Sequence, residues 1–313
     1  MSDILADKYG RKMRKLRVSL LDACNFRCTY CMPSSASFSK NHDLLNPDEI
    51  GTIVSNLTKL GIQEVRLTGG EPTLRGELVE IAERLSELPL KKLGMTTNAL
   101  LLKKFLPDLK KTKLSGFNIS LDSLTHDGFK NIARHDGLNE VVDAIDSAID
   151  AGFKVKINTV LMKQNIGELD AFLEFARVRG IEIRFLELMK IGVAVSTYED
   201  TFIPVANVIH QLRKQYQMKQ VDVAIDSTSF KYQLENGTQV GFIASESMPF
   251  CGSCSRLRLD TKGALRSCLM QENKLNLRGL PFEKYPEIVS KVISMKPYER
   301  IEKVEQPMYQ IGG

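Results

Sequence analysis

Six cysteines stand in two groups of three, and their grouping indicates metal or redox chemistry. The first group is Cys24, Cys28 and Cys31, and the second is Cys251, Cys254 and Cys268. Disulfide frameworks are typical of small secreted domains, which a chain of 313 residues with no visible secretion signal does not resemble. Three thiolates can bind three corners of a 4Fe–4S cluster, which ordinarily takes four cysteines, and so leave one iron open for another ligand.

Zinc is the alternative metal for both groups. A site of three cysteines and one histidine would use His42, the nearest histidine to the first group, but the Cys-x₃-Cys spacing there fits zinc poorly. In the second group, Cys-x₂-Cys is a common zinc half-site, so spacing by itself favours a structural zinc knuckle. The residues alone therefore leave the metal of the second group open.

The elements that must position these cysteines alternate between strands and helices over the first 188 residues. The predicted strands are 16–21, 64–68, 92–96, 116–120, 154–161 and 181–188, and the predicted helices are 47–60, 77–88, 138–151 and 166–179. Such alternation is typical of a parallel sheet with right-handed crossovers. Six units are too few to close an eight-stranded barrel, so the sequence predicts an α/β fold with a partial, TIM-like (βα)₆ barrel over residues 1–188.

The alternation stops near Met189, which predicts a second domain over residues 189–313. Residues 189–204 are predicted to be loop, 205–218 helix, 221–244 short strands, and 280–295 one or two helices. The second cysteine group belongs to this part of the chain. The prediction is a smaller α+β C-terminal domain that covers the barrel mouth.

One face of the predicted parallel strands is polar, although such strands are ordinarily apolar on both faces. Period-two alternation puts Arg17, Arg66, Lys156 and Arg184 on the face opposite the helices, inside the barrel. Cations there are costly to desolvate without counter-charge, so a cavity for a polyanion such as a nucleoside triphosphate is predicted. The alternatives are an antiparallel sheet with one face in water, or ion pairs within the barrel.

A second alternating segment follows Cys254. Leu257 shares one face with the next leucine, and Arg256 and Arg258 share the other. Paired guanidinium groups beside a cysteine cluster suit a phosphate or the polar edge of a base. A solvated strand face explains the same pattern equally well.

Composition excludes several classes of function. The chain has 43 Lys and Arg against 38 Asp and Glu, a net charge of +5, and its basic residues are dispersed, with no tryptophan. A nucleic-acid surface is therefore not indicated. No apolar stretch is long enough to span a membrane, and the charged N-terminal residues contain no secretion signal. The expectation is a soluble, cytoplasmic protein that binds neither nucleic acid nor membrane.

The first cysteine loop and the segment after the second strand carry a resemblance to a known superfamily. Cys-x₃-Cys-x₂-Cys with Tyr30 before its last cysteine, followed later by Gly-Gly-Glu-Pro at residues 69–72, resembles the radical S-adenosylmethionine (SAM) superfamily. The resemblance implies a 4Fe–4S cluster whose open iron is chelated by the methionyl amine and carboxylate of SAM. It also implies reductive cleavage of SAM to a 5′-deoxyadenosyl radical. Gly70 and Glu71 would then meet the methionyl amino group.

The C-terminal motifs narrow the resemblance. This part of the chain resembles the GTP 3′,8-cyclase family, also called the molybdenum cofactor biosynthesis protein A family. The residues that carry the resemblance are Cys-x₂-Cys-x-Arg-x-Arg, then Cys268, and finally Gly312-Gly313. This implies a second 4Fe–4S cluster whose open iron binds the guanine of GTP. Hydrogen abstraction from C3′ and attack on C8 would give 3′,8-cyclo-7,8-dihydroguanosine 5′-triphosphate. The tail is implied to reach towards the site and take part in catalysis.

Site residues follow from the resemblance position by position. The implied GTP-binding residues are Arg17, Arg66, Thr96, Lys156, Arg256, Leu257 and Arg258, to which strand parity adds Arg184. Among these, Arg17, Arg256 and Arg258 are implied to be catalytic. The implied SAM-binding residues are Tyr30, Gly70, Glu71, Ser120 and Met189. Ala23 departs from the pattern, because many members carry a basic residue before the first cysteine.

The resemblance also implies partners. These are GTP, an external electron donor, a cyclic pyranopterin monophosphate synthase that receives the product, and a second copy in a homodimer. Two other functions are alternatives: a radical SAM peptide-modifying enzyme with an auxiliary cluster, and a non-catalytic, zinc-stabilised module. The chain has no G-x-x-x-x-G-K-[ST] phosphate loop, which argues against an NTPase but not against GTP as a substrate.

Overall fold

A computed structural model describes residues 5–312, so residues 1–4 and Gly313 lie outside the described part. Its strands are β1 (Lys15–Ser19), β2 (Glu64–Thr68), β3 (Lys92–Thr97), β4 (Leu114–Ser120), β5 (Lys154–Leu161), β6 (Glu182–Glu187), β7 (Met218–Val221), β8 (Phe230–Leu234), β9 (Gln239–Ile243), β10 (Arg256–Leu259), β11 (Ala264–Arg266) and β12 (Lys274–Asn276). Over the described residues they form one sheet in the order β12-β11-β10-β1-β2-β3-β4-β5-β6-β9-β8-β7. Strands β1 to β6 are parallel, which confirms the partial barrel.

The helices lie between and after these strands. They are α1 (Pro47–Leu60), α2 (Leu78–Ser86), α3 (Leu106–Leu109), α4 (His126–Ala133), α5 (Leu138–Asp150), α6 (Leu169–Arg179), α7 (Ala194–Thr201), α8 (Val205–Gln215), α9 (Tyr285–Ser294) and α10 (Met308–Ile311). Helix α1 begins where predicted, because Asn46 and Glu49 form a capping box and Pro47 occupies the first turn. It ends at Gly61, whose φ of 123° lies in the region that favours glycine.

The apolar core lies between the helices and the outer face of the sheet. Leu16 and Val18 of β1 are buried there together with Val54 and Leu57 of α1. The alternate residues of β1, including Arg17, are on the opposite face and line the lumen. The polar face of a parallel sheet is therefore explained by a barrel whose lumen is a cavity, and the antiparallel alternative is excluded by the strand directions.

The C-terminal strands extend the barrel sheet at both of its edges. Strand β10 pairs in parallel with β1, and β9 pairs in parallel with β6. The sheet therefore runs across residue 188, and the division into domains 1–188 and 189–313 stays a prediction. Because β10 joins β1, the segment after Cys254 is placed beside the strand that precedes Cys24.

Several segments differ from the prediction, among them those that form helices α7 and α4. Residues 189–204, predicted to be loop, contain helix α7, which buries Ala194 and Tyr198 against a small separate cluster. Helix α4 was not predicted, because His126–Ala133 is short and polar; its N-cap Thr125 accepts a hydrogen bond from the backbone of Gly128. Both helices are stabilised by tertiary packing of a few apolar residues, which a short window of sequence does not reveal.

Across residues 5–312, every helix is too short or too polar to cross a lipid bilayer.

Candidate active site

A cavity of about 510 Å³ occupies the barrel lumen, and both cysteine groups line it. Most of the predicted site residues line it too: Arg17, Tyr30, Arg66, Gly70, Glu71, Thr96, Ser120, Arg184, Met189, Arg256 and Arg258. Two do not. Leu257 points into the apolar core, where it is fully buried, and Lys156 lies beside the lumen in an ion pair.

The first cysteine loop follows β1 and is held by the end of helix α4. The backbone amides of Arg27 and Thr29 donate to the carbonyls of Ala133 and Ile132, at 2.9 and 3.0 Å. Phe26 packs edge-on against Phe129 of the same helix, with ring centroids 5.6 Å apart. The loop therefore has a fixed conformation, although it contains no regular secondary structure.

Glycines 69 and 70 let the turn after β2 lie directly against the residues before Cys24. A Cβ atom on Gly69 would come within 2.3 Å of the Leu21 carbonyl oxygen, and one on Gly70 within 2.1 Å of that of Ala23. The amides of Gly70 and Glu71 donate to those two carbonyls at 2.7 and 2.8 Å. Any larger side chain would separate the turn from the cysteine loop.

The Glu71 carboxylate is buried and is bonded to its own neighbourhood. It accepts hydrogen bonds from the Thr73 amide and hydroxyl, from the Thr97 hydroxyl at 2.6 Å and from the Asn98 amide at 2.7 Å. Burial raises its pKa despite these donors. The Glu71 carboxylate therefore links the turn after β2 to the end of β3 through hydrogen bonds. The predicted contact of Glu71 with SAM stays a prediction.

Acidic groups surround the first cysteine group. Burial, followed by the nearby Glu71 charge, raises the pKa of Cys24 to about 11. Burial, with Cys24 and Asp122, raises the pKa of Cys31 to about 12. Asp122 itself accepts a hydrogen bond from the Tyr30 hydroxyl at 2.7 Å and another from the Val160 amide. This end of the cavity therefore presents carboxylates, which suit a cationic ligand.

Cationic groups surround the second cysteine group. The Arg256 guanidinium donates to Cys254 Sγ at 3.3 Å, and the buried Lys296 donates from Nζ to the carbonyls of Arg256 and Ser267. Burial raises the pKa of Cys254, but the charges of Arg256 and Lys296 outweigh it and lower that pKa to about 6. The thiolate form of Cys254 is therefore favoured. Burial and the neighbouring thiols raise the pKa of Cys251.

A row of arginines crosses the lumen between the two groups. Arg258, Arg17 and Arg66 are register partners on the adjacent strands β10, β1 and β2. Within residues 5–312, none of them has a carboxylate within ion-pairing distance. Burial and the neighbouring guanidinium groups lower the pKa of Arg17, and they lower those of Arg66 and Arg258 to about 10. Such a row is stabilised when an anion enters it.

The other two predicted lumen cations have a counter-charge. Glu182 on β6 accepts from Lys156 Nζ at 2.7 Å, from Arg184 at 2.6 Å and from Lys231 at 2.6 Å. Burial raises the pKa of Glu182, but these three cations lower it to about 2. Lys156 and Arg184 therefore form ion pairs within the barrel, whereas Arg258, Arg17 and Arg66 have no such partner in the described residues. The predicted contacts of Lys156 and Arg184 with GTP stay predictions.

The C-terminal segment enters the cavity. The Arg258 guanidinium donates to the Gly312 carbonyl, and a Cβ on Gly312 would collide with the Ser19 hydroxyl. Gly313, the other residue of the predicted functional tail, lies outside the described residues.

The histidine named for a zinc site lies elsewhere. His42 is exposed and lies 3.4 Å from the Asp43 carboxylate rather than beside a cysteine group. In the described part of the chain, no three cysteine, histidine or acidic side chains are close enough together to bind a single metal ion. Ligands of a 4Fe–4S cluster bind separate irons and need not converge in that way.

Family models match both halves of the chain. The model of the Radical SAM superfamily matches residues 18–176, and the model named Molybdenum Cofactor Synthesis C matches residues 181–300. The first match alone covers half of the chain and includes the first cysteine loop.

Full-length relatives narrow the family. A GTP 3′,8-cyclase of Synechocystis sp. is 43% identical over 100% of this chain and 96% of the relative. One from Clostridium botulinum is 38% identical over 99% and 100%, and one from Listeria monocytogenes is 39% identical over 94% and 91%. The chain belongs to the GTP 3′,8-cyclase family of the radical SAM superfamily. The family predicted from the cysteine motifs is therefore confirmed.

Solved structures support the fold. SuiB from Streptococcus suis bound to precursor peptide SuiA has a TM-score of 0.67, covering 92% of this chain and 68% of that one, at 15% identity. SuiB bound to S-adenosylmethionine has a TM-score of 0.66 at 14% identity, covering 92% and 69%. At these identities the likeness concerns the radical SAM fold alone.

Membership of the radical SAM superfamily implies a 4Fe–4S cluster and SAM for this GTP 3′,8-cyclase family member. Residues that sequence reasoning did not single out complete the surroundings of its cavity. Asp122 is the last residue of Asn-Ile-Ser-Leu-Asp (118–122), and Asn98 is the last residue of Thr-Thr-Asn (96–98), so the motifs that contain Ser120 and Thr96 carried a signal for them. Lys296 and Glu182 act through partners far along the chain, and a single sequence gives no sign of such pairings.

Proposed function

We propose that the chain is a GTP 3′,8-cyclase, which converts GTP to (8S)-3′,8-cyclo-7,8-dihydroguanosine 5′-triphosphate. This is a lyase reaction and the first step of molybdenum cofactor biosynthesis. The observation that carries the proposal is one cavity lined by two cysteine groups, with a row of Arg258, Arg17 and Arg66 between them that has no carboxylate partner within residues 5–312. The full-length relatives, which are named GTP 3′,8-cyclases, supply the substrate.

The first cysteine group fits a 4Fe–4S cluster that keeps one iron open. Cys24, Cys28 and Cys31 come from one loop facing the cavity, and the chain's other three cysteines form the second group. Tyr30, Gly70, Glu71, Ser120 and Met189, which line the same cavity, are the proposed SAM-binding residues. When bound, the cluster and SAM supply a carbon-centred radical by one-electron cleavage of the sulfonium.

Around that ligand, this chain's residues bind and orient. The carboxylates of Asp122 and Glu71 give the SAM end of the lumen a negative potential, which suits a sulfonium and an ammonium. Tyr30 is held by Asp122 and so has a fixed position beside the cysteines. The glycine turn brings backbone close enough to bond a ligand on the cluster side.

The second group is proposed to hold a second 4Fe–4S cluster through Cys251, Cys254 and Cys268. The chemistry of the donors fits, because Cys254 has a pKa of about 6 and thiolates are the ligands of such clusters. An iron without a cysteine ligand there would be open to the guanine. The lack of a converging set of ligands within residues 5–312 supports a cluster rather than a zinc knuckle at this group.

The arginine row is proposed to bind the triphosphate of GTP. Arg258 is buried, Arg17 and Arg66 are half-buried, and in the described part of the chain none of the three has a carboxylate within ion-pairing distance. A triphosphate would relieve their mutual repulsion through charge-assisted hydrogen bonds. Arg256, next to Cys254, would meet the nucleotide beside the second cluster. Thr96 and Arg184 line the same lumen, whereas Lys156 would first have to leave Glu182.

The proposed partners, oligomeric state and location follow from the family. It comprises an external electron donor, transfer of the product to a cyclic pyranopterin monophosphate synthase, assembly as a homodimer and a cytoplasmic location. Sedimentation of the purified protein tests the homodimer, and product transfer is tested by adding the synthase to the reaction.

Anaerobic reconstitution tests the proposed function. About eight iron and eight sulfide per chain are expected from two 4Fe–4S clusters. With GTP, SAM and a strong reductant, the protein should consume GTP and yield the cyclised triphosphate together with 5′-deoxyadenosine. Release of 5′-deoxyadenosine without loss of GTP would favour a peptide-modifying enzyme instead. Colourless protein that binds zinc would favour the non-catalytic module.

A further inference from the structure

A second charged row lies at the amino ends of the barrel strands, beneath the arginine row. Lys15, Glu64 and Lys92 are register partners on β1, β2 and β3. All three line the same cavity as Arg17 and Arg66. The cavity therefore continues past the arginine row towards the opposite end of the barrel.

The two rows are adjacent along the strands. On β2, Glu64 precedes Arg66 by two residues, so the rows are roughly 6–7 Å apart. On β3 the corresponding position above Lys92 is Gly94, where a Cβ atom would lie 3.3 Å from the Arg66 guanidinium. The Arg66 side chain packs over Gly94, which has no side chain of its own. No side chain on β3 therefore separates Lys92 from the Arg66 guanidinium.

Lys92 differs from Lys15 and Lys156 because it has no acidic partner within residues 5–312. Lys15 forms an ion pair with Asp226 at 2.8 Å, and Lys156 pairs with Glu182 at 2.7 Å. Within residues 5–312, Lys92 has no carboxylate within ion-pairing distance, although Glu64 is its neighbour in register. Burial and the charge of Arg66 lower the pKa of Lys92. Lys92 is exposed, and the charges that act on its ammonium group are those of the cations Arg66, Arg184 and Lys15 and of the Glu64 carboxylate.

We propose that Lys92 binds the terminal phosphate of the nucleoside triphosphate and so selects a triphosphate over a diphosphate. This rests on the proposed function, in which Arg17 and Arg66 hold the phosphate chain. A chain that passes these arginines towards the amino ends of the strands meets Lys92 next. Glu64 lies beside Lys92 and repels the same phosphate. Its charge therefore weakens the attraction between an anion and the row of Lys15, Glu64 and Lys92.

The test is equilibrium binding of GTP and GDP to the anaerobically reconstituted protein by calorimetry. The wild type should prefer GTP. Lys92→Gln should weaken GTP binding about tenfold, since a charge-assisted hydrogen bond is lost, and change GDP binding less than about twofold. Lys91→Gln is the matched control, because Lys91 is the adjacent lysine and is exposed like Lys92 but does not line the cavity.

Glu64→Gln gives a change of the opposite sign. Removing the repelling charge should tighten GTP binding about two- to threefold and leave GDP nearly unchanged. A folding defect would not improve binding, so this variant separates electrostatics from damage. The proposal would be overturned if Lys92→Gln lost affinity for GTP and GDP equally, or if its ratio of GTP to GDP affinity equalled that of the wild type.

The outcome for the wild type distinguishes this inference from the function on which it rests. A wild type that converts GTP while Lys92→Gln keeps its selectivity refutes only the role of Lys92. A wild type that binds neither nucleotide refutes both.

Discussion

The two cysteine groups contain the same number of thiols and line the same cavity, yet their electrostatic surroundings are opposite. The first lies beside carboxylates, and burial with the Glu71 charge raises the pKa of Cys24 to about 11. In the second, Arg256 and Lys296 outweigh burial and lower the pKa of Cys254 to about 6. One end of the lumen therefore suits a cation and the other an anion. The neighbours of the cysteines, more than their spacing, distinguish the two sites.

The strongest way to break this comparison is to remove one thiol from each group. Cys28→Ser should abolish both SAM cleavage and GTP conversion, because the first cluster loses a ligand. Cys254→Ser should abolish GTP conversion but leave SAM cleavage, and each variant should lose about four iron. The assay is chromatography of 5′-deoxyadenosine and GTP, with Ser253→Ala as a control. Equal loss of both activities in the two variants would contradict separate roles.

Removing the cations of β10 tests whether they serve the substrate rather than SAM. Arg256→Ala combined with Arg258→Ala should slow GTP conversion by about 1000-fold, since two charge-assisted contacts are lost. SAM cleavage should stay within about twofold of the wild type. Arg177→Ala, on the exposed face of α6, is the control. A parallel fall in SAM cleavage would argue against the assigned roles.

Substitution of Lys296 tests whether its hydrogen bonds stabilise the segments that carry the second cysteine group. Its Nζ donates to the carbonyls of Arg256 and Ser267, which flank Cys254 and Cys268 in sequence. Lys296→Met should lower the free energy of unfolding by about 2–4 kcal/mol, because two buried carbonyls lose their donor. Iron should be lost from the second group first, as measured by iron analysis and EPR.

Two controls accompany that variant. Lys296→Arg should recover part of the stability and iron content, since it keeps a cationic donor. Lys291→Met, on the exposed face of α9, should resemble the wild type. Full iron content in Lys296→Met would mean that the cysteines alone organise this site.

The smallest expected effect concerns the acidic end. Asp122→Asn should weaken SAM binding about fivefold, since the hydrogen bond to the Tyr30 hydroxyl loses its charged acceptor. GTP binding should not change. Calorimetric titration of each ligand measures this, with the helix α4 residue Asp127→Asn as control. If Asp122→Asn weakened GTP binding more than SAM binding, the acidic end of the lumen would serve GTP rather than SAM, contrary to the proposal.

Local patterns carried much of the fold. Helix α1 and strands β2 and β5 have the predicted bounds, because their caps and alternation are contained in neighbouring residues. Helix α7 was missed, since its few buried residues are stabilised by packing rather than by periodicity. The attachment of β9 and β10 to opposite edges of the barrel sheet also lay beyond the sequence, because strand pairing between distant segments leaves no local signal.

The same distinction applies to the site. The sequence by itself determined the cysteine groups, the glycine turn and the lumen-facing Arg17 and Arg66, because spacing and strand parity are local properties. Only the tertiary structure decided which cations are neutralised. Glu182 pairs with Lys156 and Arg184, whereas Arg17, Arg66 and Lys92 have no acidic partner in the described part of the chain. Ion pairing depends on distances of a few ångströms between strands, and those distances exist only once the barrel has formed.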